Sequence, residues 1–248
     1  MSLKGKVVLI TGGGRDIGKA CALDIAKQGA TVVVTYLSSS NSANQLVEEI
    51  SELGQKAIAI KADLTRQENV DNVVNTVIDE FGQLDSLIHV SGGLIGRVQI
   101  SEMSDEHWDN VLNVNLKSLF MTTKACIPHM KSGSTIVTFA SQAGRDGGGP
   151  GAVAYATAKG AVMTFTRGLA KELGPDIRVN SVCPGMIDTD FHNNFTQDAV
   201  RKNVAGATCI KREGQPAEVA KLVTFLVSED ASYMTGNCID INGGLLFS

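Results

Sequence analysis

The stretch Leu9–Ala20 reads LITGGGRDIGKA. An apolar run ends in three glycines, and helical spacing begins near Ile17. A turn that passes straight from strand to helix aims free backbone N–H groups and the positive end of the helix dipole at one point, which suits a phosphate. Gly12 and Gly18 bracket the turn, and Arg15 and Asp16 stand inside it. Asp16 is an acid in a cradle suited to anions. Aspartate tolerates left-handed dihedrals and is a favoured N-cap, so its carboxylate is expected to cap the helix while Arg15 offsets its charge. A Gly-rich turn alone is weak grounds for a ligand site, because tight turns gather glycine for structural reasons.

The surrounding pattern strengthens it. Short apolar runs begin at Lys6 (KVVLI), Thr31 (TVVVT), Lys56 (KAIAI), Ser86 (SLIHV), Thr135 (TIVTFA) and Ile177 (IRVNSV), with CIDIN near the C-terminus as a seventh. Continuous apolar runs fit strands covered on both faces, hence a parallel sheet. Helical patterns lie between them over Ile17–Gln28, Asn44–Leu53, Val70–Phe81, Trp108–Met130, Tyr155–Leu173 and Ala217–Val227. Gly29, Gly54, Gly82 and Gly174 follow four of these as candidate left-handed caps. The alternation predicts an α/β fold over residues 1–248: a single doubly wound Rossmann domain with a seven-stranded parallel sheet flanked by helices. Ligands of such sheets sit beyond the carboxyl ends of the strands.

Composition narrows the function. The 248 residues are 43% hydrophobic and 19% charged with a net charge of -4, an ordinary globular balance that argues for neither nucleic acid nor an anionic membrane as partner. No apolar run reaches the length of a membrane span, and the N-terminal one is too short for a signal peptide. The five cysteines are scattered without CxxC spacing and the four histidines are dispersed. The expectation is reduced thiols, a cytoplasmic protein and no metal site.

The second strand bears on the cofactor. Dinucleotide sites that prefer NAD place an acid about 20 residues beyond the glycines, on the ribose hydroxyls. Here Tyr36 and Leu37 occupy that place, and the first acid downstream is Glu48. Arg15, Ser38 and Ser39 could hold a 2′-phosphate, so NADP(H) is favoured over NAD(H). Equally, the serines could form only a polar turn.

AYATAK places Tyr155 and Lys159 one turn apart on one helix face. An ammonium beside a phenol favours phenolate and brings tyrosine within reach of acid–base work. Alone, the spacing equally fits a surface lysine one turn from a packed tyrosine. Taken in order, however, TGGGRDIG, ADLT (Ala62–Thr65), NVNL (Asn113–Leu116), FASQAG with Ser141, YATAK and PGMIDT (Pro184–Thr189) resemble the short-chain dehydrogenase/reductase family across essentially the whole chain.

That resemblance implies an enzyme interconverting a carbonyl and an alcohol by hydride transfer. Its catalytic residues would be Tyr155 exchanging a proton with the substrate oxygen, Ser141 hydrogen-bonding that oxygen, Lys159 holding the nicotinamide ribose and lowering the tyrosine pKa, and Asn115 tying a water to Lys159. Cofactor contacts would come from Gly12, Arg15, Asp16, Ile17, Gly18, Tyr36, Ser38 and Ser39 at one end. Asp63 and Leu64 would meet the adenine, Ser91, Gly92 and Gly93 the passing chain, and Pro184, Gly185, Ile187 and Thr189 the carboxamide end. It also implies a homotetramer packed through the Trp108–Met130 and Tyr155–Leu173 helices. Two departures stand out: Asp16 replaces the family's middle glycine, and His89 and Val90 replace two asparagines that brace the sheet. His89 is expected to serve as a bonded core group.

SGGLIGR (Ser91–Arg97), GGGPG (Gly147–Gly151) and DTDFH (Asp188–His192) resemble a subgroup that reduces a deoxy-hexoseulose uronate from alginate breakdown. Arg97, Arg145 and His192 are the candidates for holding its carboxylate, though loop arginines more often make local salt bridges. The alternatives are a 3-oxoacyl-[acyl-carrier-protein] reductase and a non-catalytic NADP(H) sensor.

Overall fold

Side chains alternate along β1 (Val7–Thr11): Val8 and Ile10 enter one apolar layer, Val7 and Leu9 the other. A strand buried on both faces belongs inside a sheet. In the computed structural model, which describes residues 1–248, β1 lies within a seven-stranded parallel sheet. The other strands are β2 (Thr31–Tyr36), β3 (Ala57–Lys61), β4 (Ser86–His89), β5 (Ser134–Phe139), β6 (Ile177–Pro184) and β7 (Cys238–Ile241), in the order β3-β2-β1-β4-β5-β6-β7.

Helices α1 (Asp16–Lys27), α2 (Ser40–Glu52) and α10 (Pro216–Val227) contribute to one layer, through Ile25, Leu46, Ile50 and Leu226 among others. Helices α3 (Gln67–Phe81), α5 (Ser118–Cys126) and α7 (Val153–Leu173) supply the opposite one, through Val70, Val77, Met121 and Leu169. Leu9, Ile10, Leu46 and Leu87 are fully buried, each such side chain contributing about 1.5–3 kcal/mol relative to exposure. The strand order reverses between β1 and β4, which opens a crevice at their carboxyl ends. The remaining helices, α4 (Asp105–Leu112), α6 (Ala143–Asp146), α8 (Asp190–Phe195) and α9 (Asp198–Ala207), follow strands β4, β5 and β6.

The structure corrects two sequence expectations. The Trp108–Met130 helix is interrupted: α4 passes through a π turn at Asn113–Lys117 before α5, and Ile127–His129 form a short 3₁₀ turn. Apolar spacing continues across the π turn, so periodicity alone does not reveal it. Gly174 is no left-handed cap; its φ is -71° and ψ 142° because Pro175 follows it, and a residue before proline is driven to extended backbone. Gly29, Gly54 and Gly82 do adopt positive φ.

Candidate active site

A cavity of about 850 Å³ occupies the crevice, running from Gly12, Ser39 and Asp63 at one end to Ser141, Tyr155 and Phe191 at the other. Its floor is backbone. Gly12 has φ 63°, and a Cβ there would stand 3.2 Å from the Ser91 amide nitrogen. A Cβ on Gly18 would meet the Gly12 carbonyl oxygen at 2.1 Å, so helix α1 can start this close to β1 only with glycine. Arg15, Ile17, Tyr36, Ser38 and Leu64 line the same end. Asp63 accepts from the Thr65 amide (3.0 Å) and hydroxyl (2.6 Å) through Oδ1, which fixes its carboxyl at the cavity wall. A slim, amide-lined floor and a long cavity fit an extended dinucleotide.

Asp16 does not cap its own helix. Its backbone takes φ 51°, the left-handed region that aspartate tolerates, and Arg15 holds the N-cap position without a side-chain bond. Oδ1 of Asp16 instead accepts the backbone N–H of Asp190 at 3.2 Å, and Arg15 lies 3.7 Å from Asp16 and 3.4 Å from Asp190. Partial burial pushes the Asp16 carboxyl up, opposed by the Asp190 amide.

At the other end the polar groups converge. Ser141 follows β5, while Tyr155 and Lys159 project from the first turns of α7. Lys159 is 4% exposed, donates to the Phe139 carbonyl at 2.7 Å, and lies 5.7 Å from the Tyr155 ring centre. Burial pulls its ammonium down to about 8. The phenol of Tyr155 is pushed up by burial, while the Ser141 hydroxyl beside it acts in the opposite direction. The sequence expectation of a phenol made more acidic by Lys159 is thus not met by these protein groups alone; desolvation outweighs the hydroxyl's pull. Asn115, on the π turn, accepts from the Gly93 amide (3.0 Å) and donates to the carbonyls of Gly93 (2.7 Å) and Val111 (2.9 Å). A Cβ on Gly92 would stand 2.6 Å from Asn115 Oδ1 and 3.1 Å from Lys159 Nζ, so these two side chains flank one point of the loop. Pro184 at the end of β6 and Gly185, Ile187 and Thr189 beyond it lie along the cavity, with Thr189 Oγ1 donating to the Ile187 carbonyl at 3.1 Å.

The basic residues proposed for the substrate separate. Arg97 lines the cavity; its Nε donates to the Phe195 carbonyl (2.9 Å) and its Nη1 to that of Pro150 (3.0 Å). His192 lines it too, but burial and nearby Arg201 pull its imidazole down to about 4, so it is neutral. Arg145 is not there. Its guanidinium turns away to Asp240 (2.8 Å) and the Cys238 carbonyl (2.7 Å), an internal ion pair that ties α6 to β7. Sequence reading missed the apolar wall of Met186, Phe191, Phe195 and Leu246, and also Gln142, whose buried Oε1 has no partner. Phe191 packs 5.7 Å from the Tyr155 ring and 5.4 Å from Phe195. These residues lie on segments with little apolar periodicity; only Gln142, beside Ser141, carries a positional signal. His89 behaves as a core group, with Nε2 3.3 Å from Ser118 Oγ and burial pulling it down to about 3.

The fold and this constellation define an NAD(P)-dependent oxidoreductase, and the chain belongs to the short-chain dehydrogenase/reductase family. Residues 12–246 match the family described as enoyl-(acyl carrier protein) reductase. The chain is 38% identical to the 3-oxoacyl-[acyl-carrier-protein] reductase FabG of Thermotoga maritima, covering 99% of this chain and 100% of that one. It is 34% identical to the hydroxynaphthalene reductase-like protein Arp2 of Metarhizium acridum, over 98% of this chain and 96% of that one. A short-chain dehydrogenase of Burkholderia cenocepacia solved in complex with NADP superposes with a TM-score of 0.92 at 35% identity, covering 99% of both chains. The NADH-dependent reductase A1-R′, responsible for alginate metabolism, does so with 0.90 at 31%, again over 99% of both.

Proposed function

We propose that the chain is an NADP(H)-dependent ketone reductase in which Tyr155 protonates the carbonyl oxygen. The observation that carries this is the convergence of Ser141, Tyr155 and Lys159 at the end of the cavity remote from the phosphate cradle. When bound, the nicotinamide cofactor supplies the hydride. The protein's part is positioning and electrostatics. The Tyr155 hydroxyl donates its proton to the oxygen as charge gathers there, and the Ser141 hydroxyl hydrogen-bonds the same atom. Lys159 holds the ribose and keeps a positive charge beside the phenol, and Asn115 extends the polar path from it toward solvent. Gly92 and Gly93 keep the backbone clear. Arg15, Ser38 and Ser39 receive a 2′-phosphate; the support is the absence of an acid at the end of β2, together with the exposed guanidinium of Arg15, 57% accessible.

For the substrate, Arg97 is the arginine lining the cavity outside the glycine turn, which supports a keto compound bearing one carboxylate, such as a keto sugar acid. A second reading, an acyl or ring ketone of the 3-oxoacyl kind, is favoured by the Met186, Phe191, Phe195 and Leu246 wall. The exposed side chains of Phe120 on α5 and Val153 on α7, 47% and 45% accessible, support assembly as a homotetramer through those helices. The test is NADPH oxidation with a panel of keto sugar acids, keto acids, ring ketones and 3-oxoacyl thioesters. Turnover of none of them, alongside tight NADPH binding, would leave a sensor as the function.

A further inference from the structure

Helix α8 carries Phe191, His192 and Phe195 over the cavity, yet nothing in its own sequence caps it: the N-cap residue, Thr189, uses its hydroxyl on the Ile187 carbonyl. Its first amide, that of Asp190, is held by Asp16 from the phosphate cradle, distant in sequence. The Asp190 carboxylate returns the contact through Arg15, which also lies against Asp16. No other bond joins α8 to the Gly12–Gly18 turn. An acid in that turn brings a negative charge toward bound phosphates and a left-handed backbone at a residue with a Cβ, both unfavourable. What Asp16 offers in return is a charge-assisted bond to the helix that walls in Tyr155.

We propose that Asp16 is a positioning residue: it pins α8, and with it Phe191, over the reacting end, coupling the cofactor's cradle to the substrate's wall. This rests on the reading of Tyr155 as the site of reaction. Pinned, α8 presents Phe191 to the substrate without an ordering step on binding; released, it must be ordered by the substrate itself. Asp16 therefore acts on carbonyl affinity, and its removal favours the cofactor.

The test compares Asp16→Gly and Asp16→Asn in the full-length protein. Asparagine keeps a side-chain oxygen for the Asp190 amide and tolerates left-handed backbone. Asp16→Gly should bind NADPH as tightly as the parent or more so, by titration of NADPH fluorescence. Its KM for the best carbonyl should rise about tenfold, the worth of one charge-assisted bond, with kcat falling less than KM rises. Asp16→Asn, which keeps the bond without its charge, should restore part of the KM. Limited proteolysis without cofactor or substrate supplies a readout independent of turnover: cleavage within residues 190–207 should be faster in Asp16→Gly than in the parent or in Asp16→Asn. Unchanged proteolysis and KM in Asp16→Gly overturn the proposal, and so does Asp16→Asn behaving like Asp16→Gly. Should no carbonyl be turned over by the parent, proteolysis still decides whether Asp16 holds α8, and the fault lies with the assigned reaction.

Discussion

The Lys159 ammonium donates to the Phe139 carbonyl across 2.7 Å, at the point where β5 ends. One of its three N–H groups is thereby fixed to the sheet, and the charge stands beside the Tyr155 ring without freedom to swing away. A lysine this buried is the more easily deprotonated of the pair, because desolvation lowers its pKa and raises that of the phenol.

As pH rises, Lys159 should therefore lose its proton before Tyr155. Carbonyl reduction, measured as kcat/KM with saturating NADPH, should fall above pH about 8, approaching tenfold per pH unit. A profile flat to pH 10 would remove Lys159 from the role given to it.

Replacing Arg15 by alanine should raise the KM for NADPH about tenfold and leave that for NADH nearly unchanged, since one charge-assisted contact to a phosphate is worth roughly that factor. Steady-state kinetics with both cofactors decides it. Equal effects on the two would place Arg15 against the pyrophosphate or against Asp190 alone.

Arg145→Ala should lower stability by about 1–2 kcal/mol, because it leaves the partly buried Asp240 carboxylate with the Ser248 hydroxyl but without its cation. Carbonyl KM should stay within about twofold of the parent, because Arg145 does not line the cavity. Urea melts and kinetics on the same preparation separate the two effects; a KM effect without destabilisation would return Arg145 to the substrate.

His89 is neutral in the fold, with a pKa near 3 in place of 6.5, and its Nδ1 is buried without a partner. Unfolding then takes up a proton between those two values, so stability conferred at neutral pH is lost as pH falls below 6.5 toward 3, by up to about 1.4 kcal/mol per unit. His89→Asn, which removes the titrating group, should flatten that part of the stability-versus-pH curve in denaturant melts. An unchanged slope would assign the acid sensitivity elsewhere.

Much of the site was legible because its chemistry is local in sequence. Gly12 is dictated by its positive φ and Gly18 by a backbone contact too close for a side chain, and Tyr155 and Lys159 meet because one helical turn separates them. The substrate wall was not legible. Phe191 and Phe195 sit on a helix of six residues, too short to display a period, and Arg145 looks like any loop arginine until Asp240 is placed opposite it.

The sequence by itself determined the sheet, the glycine turn at the end of β1 and the meeting of Tyr155 with Lys159, since each follows from apolar periodicity or from spacing within a single turn. The tertiary structure alone decided which charges face the cavity and what Asp16 holds. Those outcomes rest on contacts between segments remote along the chain, Asp16 with Asp190 and Arg145 with Asp240, and on burial that leaves His192 uncharged. Neither partner choice nor desolvation is written in local pattern; both arise only when the folded chain brings distant groups together and removes their water.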